Sequence, residues 1–244
     1  MRTTTALLAV LTLAACGGAE TETAASATDA ALPRTDAPAA PLAAAEAAAP
    51  AAQEAALTPV PEGSLSATDM ALGSEDAPLT VYEYASVTCP GCASFHEQVF
   101  PAIKEELIDT GQVRFVFREF PTNPVQLSVA GSMLARCAAS DRGAPAYFAA
   151  TGALFARQRD WAYGADPRTA LQDIFSQIGM DREAIQACLA RPDVFQKVQS
   201  NIEAAKAIGV DRTPTLVIDG EVIPFGGTPE EIVADLRARA EAKS

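Results

Sequence analysis

A single histidine, His96, and only five cysteines leave this 244-residue chain poor in metal ligands. A structural zinc site needs four. The chain has one C-x-x-C pair, Cys89 and Cys92, and no second, so no metal is expected. Basic residues are also short: 18 Lys and Arg against 31 Asp and Glu give a formal charge of −13. That balance opposes phosphate backbones and excludes nucleic acid as a partner. It equally disfavours adhesion of a folded domain to anionic lipid. No phosphate loop or dinucleotide fingerprint occurs, and no cofactor is expected. From Gly17 to about Ser66 large apolar side chains are nearly missing, with runs such as PAAPLAAAEAAAPAAQEAA. Such a segment cannot bury a core, and its prolines interrupt any alanine helix. Residues 16–66 are therefore expected to form a disordered tether with a root-mean-square reach of about 40 Å.

The first residues carry a different signal. Met1-Arg2 precedes a short apolar run, Ala6 to Leu13, and then Leu13-Ala14-Ala15-Cys16. One early positive charge, a brief apolar stretch and small residues before a cut predict a secretory signal over 1–15, too short to span a bilayer. Leu-Ala-Ala-Cys resembles a bacterial lipobox, which implies lipidation at Cys16 and a lipid anchor to the membrane. A plain signal peptide is the other reading.

The chemistry concentrates in Glu83 to Phe95, EYASVTCPGCASF. Leu79 to Val87 is β-branched and aromatic and reads as a short buried strand. After it come Cys89, Pro90, Gly91 and Cys92, then a helical pattern in which Cys92, Phe95, His96, Val99 and Ile103 share a face. Pro90 suits the first helical position, where no backbone donor is needed. Cys89 then sits at a helix N-terminus, where free amides and the dipole lower a thiol pKa. Glu83, six residues before Cys89 in an otherwise apolar strand, is costly there without a partner; it is expected to be a proton acceptor for the resolving thiol Cys92, an ordinary edge-strand acid being the other reading. His96 falls one turn after Cys92. Two roles stay open for it: a packed, hydrogen-bonded helix histidine, or a proton shuttle.

Further along, Val113 to Phe117 reads as a second strand, and Pro101 should break the helix before it. From Pro124 to Ile208 the pattern is helical. Helices are predicted over Val125–Ala139, Ala146–Arg157, Thr169–Ile178, Arg182–Leu189 and Asp193–Ile208, the last opened by an Asp193–Gln196 cap. Strands return at Thr215 to Ile218 and Glu221 to Phe225 around an Asp219-Gly220 hairpin turn. Thr228, Pro229 and Glu231 then open the final helix with a capping box.

Strand, C-x-x-C, helix, and the late Gly209-Val210-Asp211-Arg212-Thr213-Pro214-Thr215 before a strand resemble the DsbA-like branch of the thioredoxin superfamily, from about Met70 to the C-terminus. Thioredoxin and DsbA exemplify lowered thiol pKa values. The resemblance implies an α/β, thioredoxin-like fold with an inserted helical domain. Its halves would be 67–123 and 208–244, with the insertion at 124–207. It implies a cis Thr213–Pro214 bond facing the C-x-x-C pair and a thiol-disulfide oxidoreductase activity in the periplasm or cell envelope. Its partners would be exported proteins with cysteines and a membrane redox partner. The tether leaves out the N-terminal dimerisation domain of the disulfide isomerases, and a monomer is expected. Direction is less determined. Pro90 resembles DsbA-type oxidases, whose second intervening residue is histidine; here it is Gly91. Thr213 resembles the disulfide isomerases, so a reductase or isomerase is the alternative. Copper carriers of this fold resemble a C-x-x-x-C plus distal histidine pattern, which this chain lacks, leaving a metal-carrying lipoprotein as the remote alternative. With Cys16 assigned to lipid and Cys89 with Cys92 to redox work, Cys137 and Cys188 remain, and a disulfide between them is expected in an oxidising compartment. Two buried thiols would be the other outcome.

Overall fold

β-Branched and aromatic residues build a five-stranded sheet whose middle strands carry the longest apolar runs. In the computed structural model, residues 69–223 and 226–244 are described, and all of them belong to one unit, Glu54–Ser244. The strands are β1 (Met70–Leu72), β2 (Leu79–Ala85), β3 (Val113–Glu119), β4 (Thr215–Ile218) and β5 (Glu221–Ile223), in the order β1-β3-β2-β4-β5. β2 and β3 run parallel; the other neighbours are antiparallel. The alternation of side chains along a strand sorts β2 into two faces. Val81 and Ala85 enter the larger apolar core, while Tyr82 and Tyr84 enter a smaller one on the other face. Glu83 shares the parity of Val81 and Ala85, which aims it into the larger core.

Pro90 opens α1 (Pro90–Gln98) with Cys89 as its N-cap. Pro101 sits in the next short helix, α2 (Phe100–Ile103), which passes into a π-helical turn at Lys104–Ile108. Proline has no amide hydrogen for the ladder, which accounts for the broken helix. The inserted helices are α3 (Val125–Ala138), α4 (Gly143–Ala156), α5 (Gln158–Trp161), α6 (Pro167–Gln177), α7 (Arg182–Leu189) and α8 (Pro192–Ala207), followed at the end of the chain by α9 (Pro229–Glu241). Thr228 caps α9, and its capping box with Glu231 is formed. At the β4–β5 turn both Asp219 (φ 54°) and Gly220 (φ 81°) are left-handed, the requirement of a two-residue hairpin that matches strand twist.

Several expectations need correction. β1 was not expected: three residues, Met-Ala-Leu, carry too little periodicity to read as a strand. Asp193 does not cap α8. The helix starts earlier, with Arg191 as N-cap and Pro192 at its first turn, and the Asp193 carboxylate instead binds the Arg191 guanidinium at 3.1 Å (Nε) and 2.5 Å. A charged neighbour two residues away outcompetes the backbone amide. α4 begins at Gly143, and α6 is capped by Asp166 rather than opening at Thr169. Pro224 and Phe225, the predicted end of β5, lie outside the described residues, as do the signal, Cys16 and the tether.

The insertion is tied to the sheet through a buried charge. Glu119, at the end of β3, accepts from Arg136 Nε and Nη2 at 2.6 and 2.7 Å, from Tyr147 Oη at 2.8 Å, and from Asn201 Nδ2. One carboxylate thereby joins α3, α4 and α8. Cys137 on α3 and Cys188 on α7 are bonded sulfur to sulfur.

Candidate active site

The site is assembled where the C-terminal ends of β2 and the N-terminus of α1 meet the loop before β4. A turn closed by Cys89 N–H donating to Ser86 O at 3.0 Å delivers Cys89 to the helix N-terminus. Its sulfur is part-exposed, whereas Cys92, one turn inside, is fully buried. Both are free thiols. The Thr213–Pro214 bond is cis, and the Thr213 carbonyl lies 3.4 Å from Cys89 Sγ, accepting from the thiol when it is protonated. The loop packs close: a Cβ at Gly91 would stand 3.3 Å from Pro214 Cδ and 3.7 Å from Cys89 Sγ. A side chain there would make the proline ring give by a few tenths of an ångström.

Electrostatics separates the two sulfurs. The Cys89 thiol is pulled from the ordinary 9.0 to about 5, chiefly by a hydrogen bond from the Cys92 thiol. Partial burial works against this, while the Thr213 side chain and the amides of Cys92 and Gly91 add to it. Burial drives Cys92 the other way, far above the ordinary range. Its bond to Cys89 and the charges of Glu83 and Cys89 reinforce the rise, and the Ser86 amide, 3.5 Å from Sγ, partly offsets it. A part-exposed thiolate above a buried, protonated thiol is the arrangement that thiol–disulfide exchange requires.

Below Cys92, Glu83 is fully buried. Its Oε2 lies 2.8 Å from His96 Nε2, whose N–H donates to the carboxylate, and the His96 side chain is itself 5% exposed. The imidazole stacks on Phe155 with centroids 4.5 Å apart and also meets Phe100 at 4.8 Å. His96 is thus a packed, hydrogen-bonded residue that fixes one carboxylate oxygen. The other, Oε1, has no hydrogen-bond partner among the described residues. A buried acceptor left without a donor costs free energy, and the Glu83 charge acts on Cys92 by raising its pKa. Among the described residues, no group of three or more His, Cys, Asp and Glu side chains is arranged to hold a metal ion.

Sequence reasoning missed two further contacts. Gln158 donates to the carbonyls of Val87 and Cys89, and Tyr163 donates to that of Thr88. Neither residue carries a motif; only their position after α4 brings them to the Cys89 turn.

Sheet, C-x-x-C helix, cis-proline loop and helical insertion define a thioredoxin fold of the DsbA-like type. Residues 65–237 match the family described as Thioredoxin, and the chain belongs to that family. A structure of Wolbachia pipientis alpha-DsbA1 superposes with a TM-score of 0.62 at 28% identity, covering 73% of this chain and 96% of that one. Bacillus subtilis BdbD, in its oxidised form, shares the fold with a TM-score of 0.63 at 22% identity, over 71% of this chain and 94% of that one. A Rickettsia typhi relative, provisionally named a protein-disulfide oxidoreductase, is 34% identical over 154 residues, 62% of this chain and 55% of its own length. The chain thus spans about half the length of that relative. Bacillus subtilis disulfide bond formation protein D is 26% identical over 70% of this chain and 77% of its own.

Proposed function

We propose that this chain is a lipid-anchored thiol-disulfide oxidoreductase of the cell envelope that introduces disulfides into exported proteins. The observation that carries the reading is a part-exposed Cys89 at the helix N-terminus, 3.4 Å from the Thr213 carbonyl, above a fully buried Cys92; that placement lowers the Cys89 thiol to about 5 and keeps Cys92 protonated. Stabilising the thiolate stabilises the reduced enzyme, which makes its disulfide oxidising.

The reaction is two exchanges. A substrate thiolate attacks Cys89 Sγ of the Cys89–Cys92 disulfide, and that bond breaks as a mixed disulfide forms. Cys92 leaves as a thiolate and takes up one of the two protons the substrate thiols release, with Glu83 as the relay. A second substrate thiolate then attacks the substrate sulfur of the mixed disulfide, expelling Cys89 as a thiolate. Two electrons pass from the substrate dithiol to the enzyme, and a membrane redox partner withdraws them again. The cleft beside the loop, about 590 Å³ and lined by Asp211, Arg212, Thr213, Pro214 and Val222 among others, supports docking of an extended substrate segment along the cis-proline backbone.

The lipobox resemblance supports anchoring through Cys16, and mass spectrometry of the membrane-extracted protein tests it. Among the described residues no helix is long and apolar enough to cross a membrane. Thr213 before the cis-proline favours a second reading, a reductase or isomerase of the same fold. Equilibration of the protein with glutathione buffers separates the two. We expect a potential clearly more oxidising than thioredoxin's, about −270 mV; a value as reducing as that would transfer the assignment to the second reading.

A further inference from the structure

Three successive carbonyls lead into the nucleophilic helix, those of Val87, Thr88 and Cys89, and all three are held by side chains from the insertion. Gln158 Nε2 donates to Val87 O at 2.9 Å and to Cys89 O at 3.0 Å, while Tyr163 Oη donates to Thr88 O. A primary amide has two hydrogens, and here each has an acceptor. Val87 and Thr88 are buried, so their carbonyls require partners. The segment that carries both donors is anchored in the core. Trp161, between them in sequence, is fully buried and donates from Nε1 to Leu154 O at 2.8 Å. Gly131 of α3 brings its backbone so near that a Cβ there would stand 3.1 Å from both Trp161 and Val87. Gln158 is 5% exposed, and Tyr163 is 52% exposed.

We propose that Gln158 and Tyr163 are positioning residues that clamp the Cys89 turn to the helical insertion and thereby set the oxidising strength of the Cys89–Cys92 pair. The clamp's hydrogen bonds go to backbone carbonyls rather than to a sulfur. It holds the backbone that aims Cys89 Sγ at the Gly91 and Cys92 amides and at Thr213. It also places the positive ends of an amide and a hydroxyl dipole next to the turn. Losing it frees the turn and removes those dipoles, and both changes disfavour the thiolate. The charge of Cys89 in turn raises the Tyr163 phenol, after the larger effect of its partial burial, which keeps the hydroxyl protonated as a donor.

The inference rests on the redox reading of Cys89 and Cys92, and one set of measurements distinguishes the two. Full-length protein and the variants Gln158→Met, Tyr163→Phe and the double variant are titrated by thiolate absorbance and equilibrated with glutathione. Gln158→Met keeps the volume and removes both donors; Tyr163→Phe, at a half-exposed site, removes one. We expect the Cys89 midpoint to rise by about half a unit in Gln158→Met, with glutathione reducing the disulfide about threefold less favourably. Tyr163→Phe should move both in the same direction by a smaller step. Unchanged midpoints and equilibria, with only a lowered melting temperature, would overturn the clamp and leave these residues as packing. If Gln158→Met does not fold, Tyr163→Phe decides alone, because its ring remains in place. A wild-type protein in which Cys89 titrates as an ordinary thiol and exchanges with no disulfide would instead defeat the redox reading itself.

Discussion

Acidifying the reduced protein should remove stability that the oxidised protein never had. Cys89 titrates near 5 in the folded dithiol form and near the ordinary 9.0 when unfolded. Between those values the unfolded chain binds one more proton than the native one, so stability rises with pH. The contribution is fully present above about pH 9 and is lost as pH falls through about 5. At pH 7 two of the four units act, worth about 2.7 kcal/mol at about 1.36 kcal/mol per unit. The sulfur is part-exposed, and solvent screening reduces this to about 1.3 kcal/mol. Above about pH 9 the trend should reverse, because the fold keeps Cys92 protonated while the unfolded chain releases that proton. The disulfide does not titrate, so urea unfolding of reduced and oxidised protein in parallel isolates the effect from every other group. We expect the reduced-minus-oxidised difference to grow by about 1.3 kcal/mol from pH 4 to pH 7. A difference flat across that range, or a thiolate absorbance midpoint at or above about 8.5, would refute the reasoning.

Other perturbations test separate parts of the structure. Glu83→Gln keeps a group of the same size beside His96 but cannot pass a proton to or from Cys92; formation of the mixed disulfide, in which Cys92 leaves, should slow by at least about tenfold in stopped-flow, and an unchanged rate removes Glu83 from proton transfer. Replacing Cys137 and Cys188 together with alanine opens a loop of sequence separation 51 and should cost about 4 kcal/mol in denaturant unfolding. Glu119→Ala leaves Arg136 buried without its carboxylate partner, and a loss of about 3–5 kcal/mol is expected from the same measurement; a loss below 1 kcal/mol would mean that water reaches the guanidinium.

Much of this protein is local and was legible without coordinates. Short β-branched and aromatic runs marked β2 and β3, Pro90 marked the start of α1, and Asp219-Gly220 marked a turn that only left-handed residues make. Each depends on neighbours within a few residues, where spacing alone sets the geometry. Cys89, Cys92 and Glu83 were readable for the same reason, since strand parity and one helical turn decide which of them share a core. β1 was not, because three residues become a strand only when the edge of β3 is there to pair with them. The choice of His96 for Glu83, of Arg136, Tyr147 and Asn201 for Glu119, and of Gln158 and Tyr163 for the Cys89 turn is likewise a matter of tertiary structure. Those partners lie between 13 and 82 residues apart along the chain. A buried carboxylate or carbonyl must find a donor, but which one it finds depends on how the insertion packs against the sheet.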